Sequence, residues 1–181
     1  FGVLRFDFTG LGESDRDFGD TNFSGNVEDL EDAARYLEAE YGAPSLLVGH
    51  SLGGAAVLFA AARLPFVRAV AVIGAPANPE HVTRLLRSKV PEIEKEGKAR
   101  VMIGGREFTI KEQFLKDLQS HSLPEVVHGL DTALLILHSP QDRIVSISNA
   151  ETIYREARHP KSFVSLDGAG HLLENEADST Y

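Results

Sequence analysis

Leu46-Leu47-Val48-Gly49-His50-Ser51-Leu52-Gly53-Gly54-Ala55-Ala56 runs from a short apolar stretch, through Gly-x-Ser-x-Gly, into a run of small residues. That pattern reads as a strand, a sharp turn and a helix with a serine raised at the turn, and the chemistry it points to is nucleophilic attack. The strand and helix backbones approach closely around such a turn, so its flanks must be small. Gly49 and Gly53 fill those places, and Gly54, Ala55 and Ala56 let the helix lie close to the sheet. A serine hydroxyl is a poor nucleophile at neutral pH; it needs a base within hydrogen-bond reach, and that base needs an orienting partner. Asp142 and His171 each fall in a loop just after an apolar, strand-like run, in Ser139-Pro140-Gln141-Asp142 and in Asp167-Gly168-Ala169-Gly170-His171. Asp167 is a rival carboxylate, read as stabilising the histidine's loop, while Asp131 precedes its strand and so falls at the wrong edge. His50, His81, His121, His128, His138 and His159 read as surface or core residues, with His50 and His138 close enough in the chain to line the site.

The elements that must position these groups alternate. Phe1 to Phe8 is rich in strand formers, followed by the turn Thr9-Gly10-Leu11-Gly12-Glu13-Ser14. The Gly-x-Gly there lacks the third glycine and the following helix of a phosphate-binding loop. Val27, Leu30, Ala33, Ala34, Leu37 and Tyr41 repeat at helical spacing, with Ser24 or Asn26 as start cap and Gly42 as stop. The acidic Glu28, Asp29, Glu31 and Asp32 read as a solvated face in that helix's first turns. Strands are expected at 45–49, 67–73, 133–138 and 162–166, with helices at 52–64 and 146–157. Strand and helix alternating at these lengths predict an α/β fold, a mostly parallel sheet with helices on both faces. Ligands in such sheets bind beyond the carboxyl ends of the strands, where Ser51 falls.

Residues 76–131 break the alternation. Helices are expected at 81–88, 91–96, 111–120 and 124–129, with a hairpin around Gly104-Gly105. The segment is longer than a crossover requires and reads as a cap insertion over the strand ends. Its Leu85, Ile93, Phe114 and Leu118 would suit an apolar pocket and a packed core equally well.

The 181 residues suffice for one domain, 1–181, with a sizeable core, and 43% apolar with 25% charged residues is ordinary for a globular chain. A net charge of −9 argues against a general nucleic-acid binder. The absence of cysteine excludes disulfides, thiolate metal sites and a cysteine nucleophile. Neither a metal-ligand cluster nor an internal repeat is visible. No apolar run nears the roughly 20 residues that span a membrane, and no signal peptide is visible, so a cytoplasmic location is the default. The only methionine is Met102 and the chain opens at Phe1 within a strand-like run, so it reads as N-terminally incomplete.

In order along the chain, nucleophile, acid and histidine match the α/β-hydrolases. The sequence resembles that superfamily over nearly its whole length. Gly49-His50-Ser51-Leu52-Gly53-Gly54 resembles the nucleophile elbow, Ser139-Pro140-Gln141-Asp142 the acid loop and Gly170-His171 the base loop. Arg5-Phe6-Asp7-Phe8-Thr9-Gly10-Leu11-Gly12-Glu13-Ser14 is similar to the strand and loop before the elbow helix, where Asp7 would brace a turn. Phe6 to Gly12 and His159 to Asp167 are also similar to the hydrolase half of bacterial proteins fused to an OsmC-like domain. The resemblance implies a serine hydrolase, a carboxylesterase acting on a small acyl substrate without cofactor or metal. Ser51 would form an acyl-enzyme, His171 would act as base and then acid, and Asp142 would orient His171. The Leu52 backbone N–H would donate to the oxyanion. A second donor would come from a loop upstream of Phe1, and the strand between the Phe1–Phe8 strand and the Ser51 strand would also lie upstream, leaving a gap or unpaired edges. A thioesterase, peptidase-like hydrolase or perhydrolase could use the same triad. The fold could also serve as a non-catalytic binding module. A homodimer is compatible with the sequence.

Overall fold

A computed structural model describes residues 2–79, 86–103, 106–175 and 178. Its centre is a four-stranded parallel sheet of β1 (Leu46–His50), β2 (Ala69–Ile73), β5 (Ala133–His138) and β6 (Lys161–Ser165), in the order β1-β2-β5-β6. Parallel neighbours need a crossover between them. Helix α2 (Leu52–Ala61) joins β1 to β2, and α6 (Ser148–Glu156) joins β5 to β6. Along β2 and β5 buried and half-buried side chains alternate, placing Val70, Val72, Leu134 and Ile136 in the core. From Gly54 to Ala61 every residue of α2 is buried, as its unbroken apolar sequence demands. Helix α1 (Phe23–Glu40) packs on α2 through Phe23, whose ring meets Phe59 edge-on at 5.3 Å. Complete burial of a side chain such as Phe23, Leu58 or Ile136 contributes about 1.5–3 kcal/mol.

Register decides what the sheet can position. His50, Ile73, Leu137 and Val164 lie side by side in successive strands. The residues that follow each strand therefore emerge at one edge.

Several local expectations are corrected. Residues 2–8 form neither helix nor strand, and Val3 is 87% exposed. The strand-forming composition of this stretch is not matched by a place in the sheet, whose β1 side is an edge, with Leu46 and Val48 more than half exposed. The turn after it is built as expected: Asp7 accepts from the Glu13 N–H at 3.2 Å, and the Ser14 hydroxyl donates to the Asp7 carbonyl at 2.6 Å. Asn22 caps α1, accepting from the Gly25 N–H at 2.7 Å, because its carbonyl reaches the free N–H groups one turn before Asn26 could. The acidic residues consequently lie past the first turn, and two are engaged. Asp29 accepts from the Thr9 N–H and hydroxyl at 2.8 and 2.9 Å, and Glu31 pairs with Arg63 at 2.8 Å.

The insertion contains α3 (Val90–Glu96), the antiparallel hairpin β3 (Lys98–Ile103) and β4 (Arg106–Lys111), α4 (Glu112–Gln119) and α5 (Leu123–Gly129). The hairpin's turn, Gly104-Gly105, lies outside the described residues, as does most of the helix expected over 81–88. The insertion is fastened to the segment before β1. Lys111 bonds Asp20, Phe108 and Phe114 pack on Phe18, and Asp117 accepts from the Ser24 N–H and hydroxyl at 2.8 and 2.6 Å. Ile93, Phe114 and Leu118 are buried in the common core, so core packing accounts for them; Leu85 lies outside the described residues. Among the described residues no helix is long and apolar enough to cross a membrane.

Candidate active site

Ser51 follows β1 directly and adopts φ 54°, ψ −127°. This is a positive-φ conformation that costs a residue with a side chain roughly 1–3 kcal/mol. The surroundings impose it. The Ser51 N–H donates to the Ile73 carbonyl at 2.8 Å, and its own carbonyl accepts from Gly54 and Ala55 at 2.9 and 3.3 Å. The chain is thus locked to β2 on one side and to the first turn of α2 on the other.

The glycines divide the work differently from the expectation. A Cβ on Gly49 would lie 2.3 Å from the Gly53 carbonyl oxygen, and one on Gly54 would lie 2.8 Å from Cβ of Ala75. A Cβ on Gly53 would meet nothing within 4 Å. Gly53 matters through its backbone, against which Gly49 packs, and Gly54 takes over the steric role assigned to it.

His171 brings Ser51 and Asp142 together. Its Nε2 is 2.9 Å from Oγ of Ser51 and its Nδ1 is 2.7 Å from Oδ2 of Asp142. Asp142 is buried, with Oδ1 accepting from the N–H groups of Ile144 and Val145 at 2.8 and 2.9 Å. Burial pushes its acidity toward the neutral form, but the bonds from His171, Val145 and Ile144 outweigh it and leave the carboxyl below the ordinary aspartate value. An ionised carboxylate only accepts, so Nδ1 of His171 carries the proton. Nε2 then presents a lone pair, to which the Ser51 hydroxyl donates. This arrangement can draw a proton from the hydroxyl as it attacks an electrophile.

Leu52 follows Ser51 and is the first residue of α2, so its N–H has no intrahelical acceptor and lies at the positive end of the helix. His50 reaches across to the base loop, its Nε2 2.7 Å from the His171 carbonyl. His138, almost fully buried, donates to the Val145 carbonyl at 2.8 Å and lies 3.6 Å from Oδ2 of Asp142. Asp167 turns away, accepting from the Ser165 hydroxyl at 2.5 Å. His128 and His159 are exposed, and His121 packs against Phe23 and Phe59; His81 lies outside the described residues.

Sequence reasoning missed Gly74. It follows β2 at φ 56°, and a Cβ there would stand 3.4 Å from both Asp142 Oδ2 and the His171 ring. The signal was a glycine ending the apolar run Ala69–Ile73. Ser139 and Gln141 were also passed over as side chains. The Ser139 hydroxyl donates to the Ala169 carbonyl at 2.6 Å, and the Gln141 side-chain carbonyl accepts from the Gly168 N–H at 2.7 Å. Among the described residues no group of three or more His, Cys, Asp or Glu side chains could hold a metal ion.

The model of a family described as the alpha/beta hydrolase family matches residues 1–179. Among solved structures, the chain is similar to the esterase domain of a Rhodothermus marinus protein. Identity is 49% and the TM-score 0.71, over 90% of this chain and 67% of that one. It is similar to mouse alpha/beta hydrolase domain-containing protein 10 at 25% identity and TM-score 0.72, over 96% of this chain and 71% of that one. It shares its fold with Est1E from Butyrivibrio proteoclasticus, solved with ferulic acid bound, at 19% identity and TM-score 0.74, over 96% and 70% of the two chains. No curated protein matches the sequence.

Proposed function

The chain belongs to the alpha/beta hydrolase family, and from that premise we propose that it is a serine hydrolase that cleaves carboxylic esters or related acyl compounds through an acyl-enzyme. The observation that carries this reading is the continuous relay from Ser51 Oγ through His171 to Asp142, at 2.9 and 2.7 Å. The 49% identity to a domain described as an esterase supports the ester class.

In the first half-reaction Ser51 Oγ attacks the acyl carbon while Nε2 of His171 takes the hydroxyl proton. The charge on the imidazolium is balanced by Asp142, which stays ionised because Ile144 and Val145 donate to its other oxygen. The Leu52 N–H donates to the oxyanion formed from the acyl carbonyl. As the intermediate collapses, the bond to the alcohol oxygen breaks and His171 returns its proton to that oxygen. A water then attacks the Ser51 ester with His171 again as base, releasing a carboxylic acid and restoring the hydroxyl.

The test is covalent labelling by a fluorophosphonate probe beside hydrolysis of p-nitrophenyl acetate, for the protein and its Ser51→Ala form. Labelling should vanish with the hydroxyl and turnover should fall by about 10⁴-fold or more. Equal labelling of both forms, or none in the folded protein, would sink the hydrolase reading.

A further inference from the structure

His171 lies on a loop without regular secondary structure after β6, yet its ring must hold Oγ of Ser51 within hydrogen-bond reach. Side chains from outside tie the backbone of that loop at three residues. Gln141 binds Gly168, Ser139 binds Ala169, and His50 binds His171 itself. The first two ties come from the acid loop, so they fix the base loop relative to Asp142. The third comes from the residue bonded to Ser51, and it fixes the base loop relative to the nucleophile.

We propose that His50 is a positioning residue for the reaction proposed above, its ring N–H anchoring the His171 backbone so that Nε2 of His171 stays aligned with the Ser51 hydroxyl. A carbonyl only accepts, so Nε2 of His50 must carry a proton. The neutral tautomer with the proton on Nε2 satisfies the bond without placing a charge beside His171, whose ring centroid is 4.9 Å away. Burial, with a smaller contribution from His171, holds His50 below the ordinary histidine value despite the opposing effects of the His171 carbonyl and of Asp142. A cationic neighbour would oppose the imidazolium that His171 becomes. Geometry and protonation therefore agree: an uncharged donor of fixed reach is what this position requires. Removing it frees the base loop on the serine side, so the His171–Asp142 bond is held by the acid-loop ties alone and its proton exchanges more readily.

Gln at position 50 places an amide N–H where Nε2 stands, whereas Phe keeps a ring and loses the donor. The protein and its His50→Gln and His50→Phe forms are compared by fluorophosphonate labelling rate, by kcat and KM on p-nitrophenyl acetate, and by the downfield proton resonance between His171 and Asp142. For His50→Phe, labelling and kcat should fall about 10- to 100-fold, the cost of a misaligned base, with KM within about twofold. His50→Gln should stay within about threefold of the parent on all three quantities, a small part of that loss. The resonance should persist in His50→Gln and broaden in His50→Phe. A Phe form that labels as fast as the parent overturns the proposal, and so does a cooperatively folded Gln form that loses as much as Phe. If the Phe form does not fold, His50→Asn, whose shorter amide cannot reach the carbonyl, replaces it under the same criteria. If the parent itself shows no Ser51-dependent labelling, the hydrolase reading fails separately. The resonance then decides whether His50 orders the loop, and an unchanged line shape in the donor-less form rejects that.

Discussion

Ser51 is held at a positive φ by bonds that its side chain does not make, so the strain belongs to the position and not to the hydroxyl. Glycine tolerates that conformation at little cost. Ser51→Gly should therefore raise the melting temperature by about 2–4 °C, the equivalent of about 1 kcal/mol in a chain this long, while Ser51→Ala should not. Differential scanning calorimetry of the two forms checks this, and an unchanged or lower midpoint for the glycine form counts against stored strain. At this scale the sequence was legible where chemistry needs one residue type at one offset. Ser51 is marked by its glycines and small neighbours, and His171 and Asp142 by loops that follow apolar runs. What the sequence left dark was direction. Asp167 and Asp142 look alike as letters, and only the fold shows that one faces Ser165 and the other His171. Gly74 carried only the signal of a glycine ending an apolar run, since its neighbours come from residues far along the chain.

The turn between β1 and α2 works as an element because two backbones meet where Gly49 lies against the Gly53 carbonyl. Gly49→Ala should destabilise the protein by about 1–3 kcal/mol, since backbone rather than a flexible side chain must move. Gly53→Ala has open space and a helical position, so it should be neutral or stabilising by up to about 1 kcal/mol. Urea unfolding of the pair distinguishes them, and equal midpoints would contradict the contact. The periodicities that revealed helices and strands locate elements well but end them poorly. Helix α2 stops at Ala61, three residues short of the expected end at residue 64. Asn22 caps α1 from a place that hydrophobic spacing does not mark, because a cap is a hydrogen bond and not a repeat.

Across the whole molecule, alternation of strand and helix made the parallel sheet legible, and register brings Ser51, Gly74 and the acid loop to one edge. Strand-forming composition at residues 2–8 misled because a strand needs a partner as well as a propensity. Both titratable groups of the site with perturbed acidity bind protons less readily when folded. As pH falls, the unfolded chain protonates first at His50, from about 6.5 downward, and then at the Asp142 position below about 4. Asp142 therefore contributes stability that is complete above the ordinary aspartate value and lost as pH falls through its lower folded value. His50 removes stability once pH drops below the ordinary histidine value. Thermal midpoints measured from pH 7 to 3 should decline in both windows. Asp142→Asn should flatten the lower one and His50→Gln the upper one; parallel curves for the parent and both variants would refute these assignments. The distance along the chain between Ser51 and His171, 120 residues, has a further meaning. The turn at Ser51 is local and takes shape from neighbours in sequence, whereas His171 and Asp142 arrive only after long loops have closed, the slowest kind of contact to form. On the function proposed above, a growing or refolding chain would carry a Ser51 hydroxyl with no base beside it until the sheet is finished.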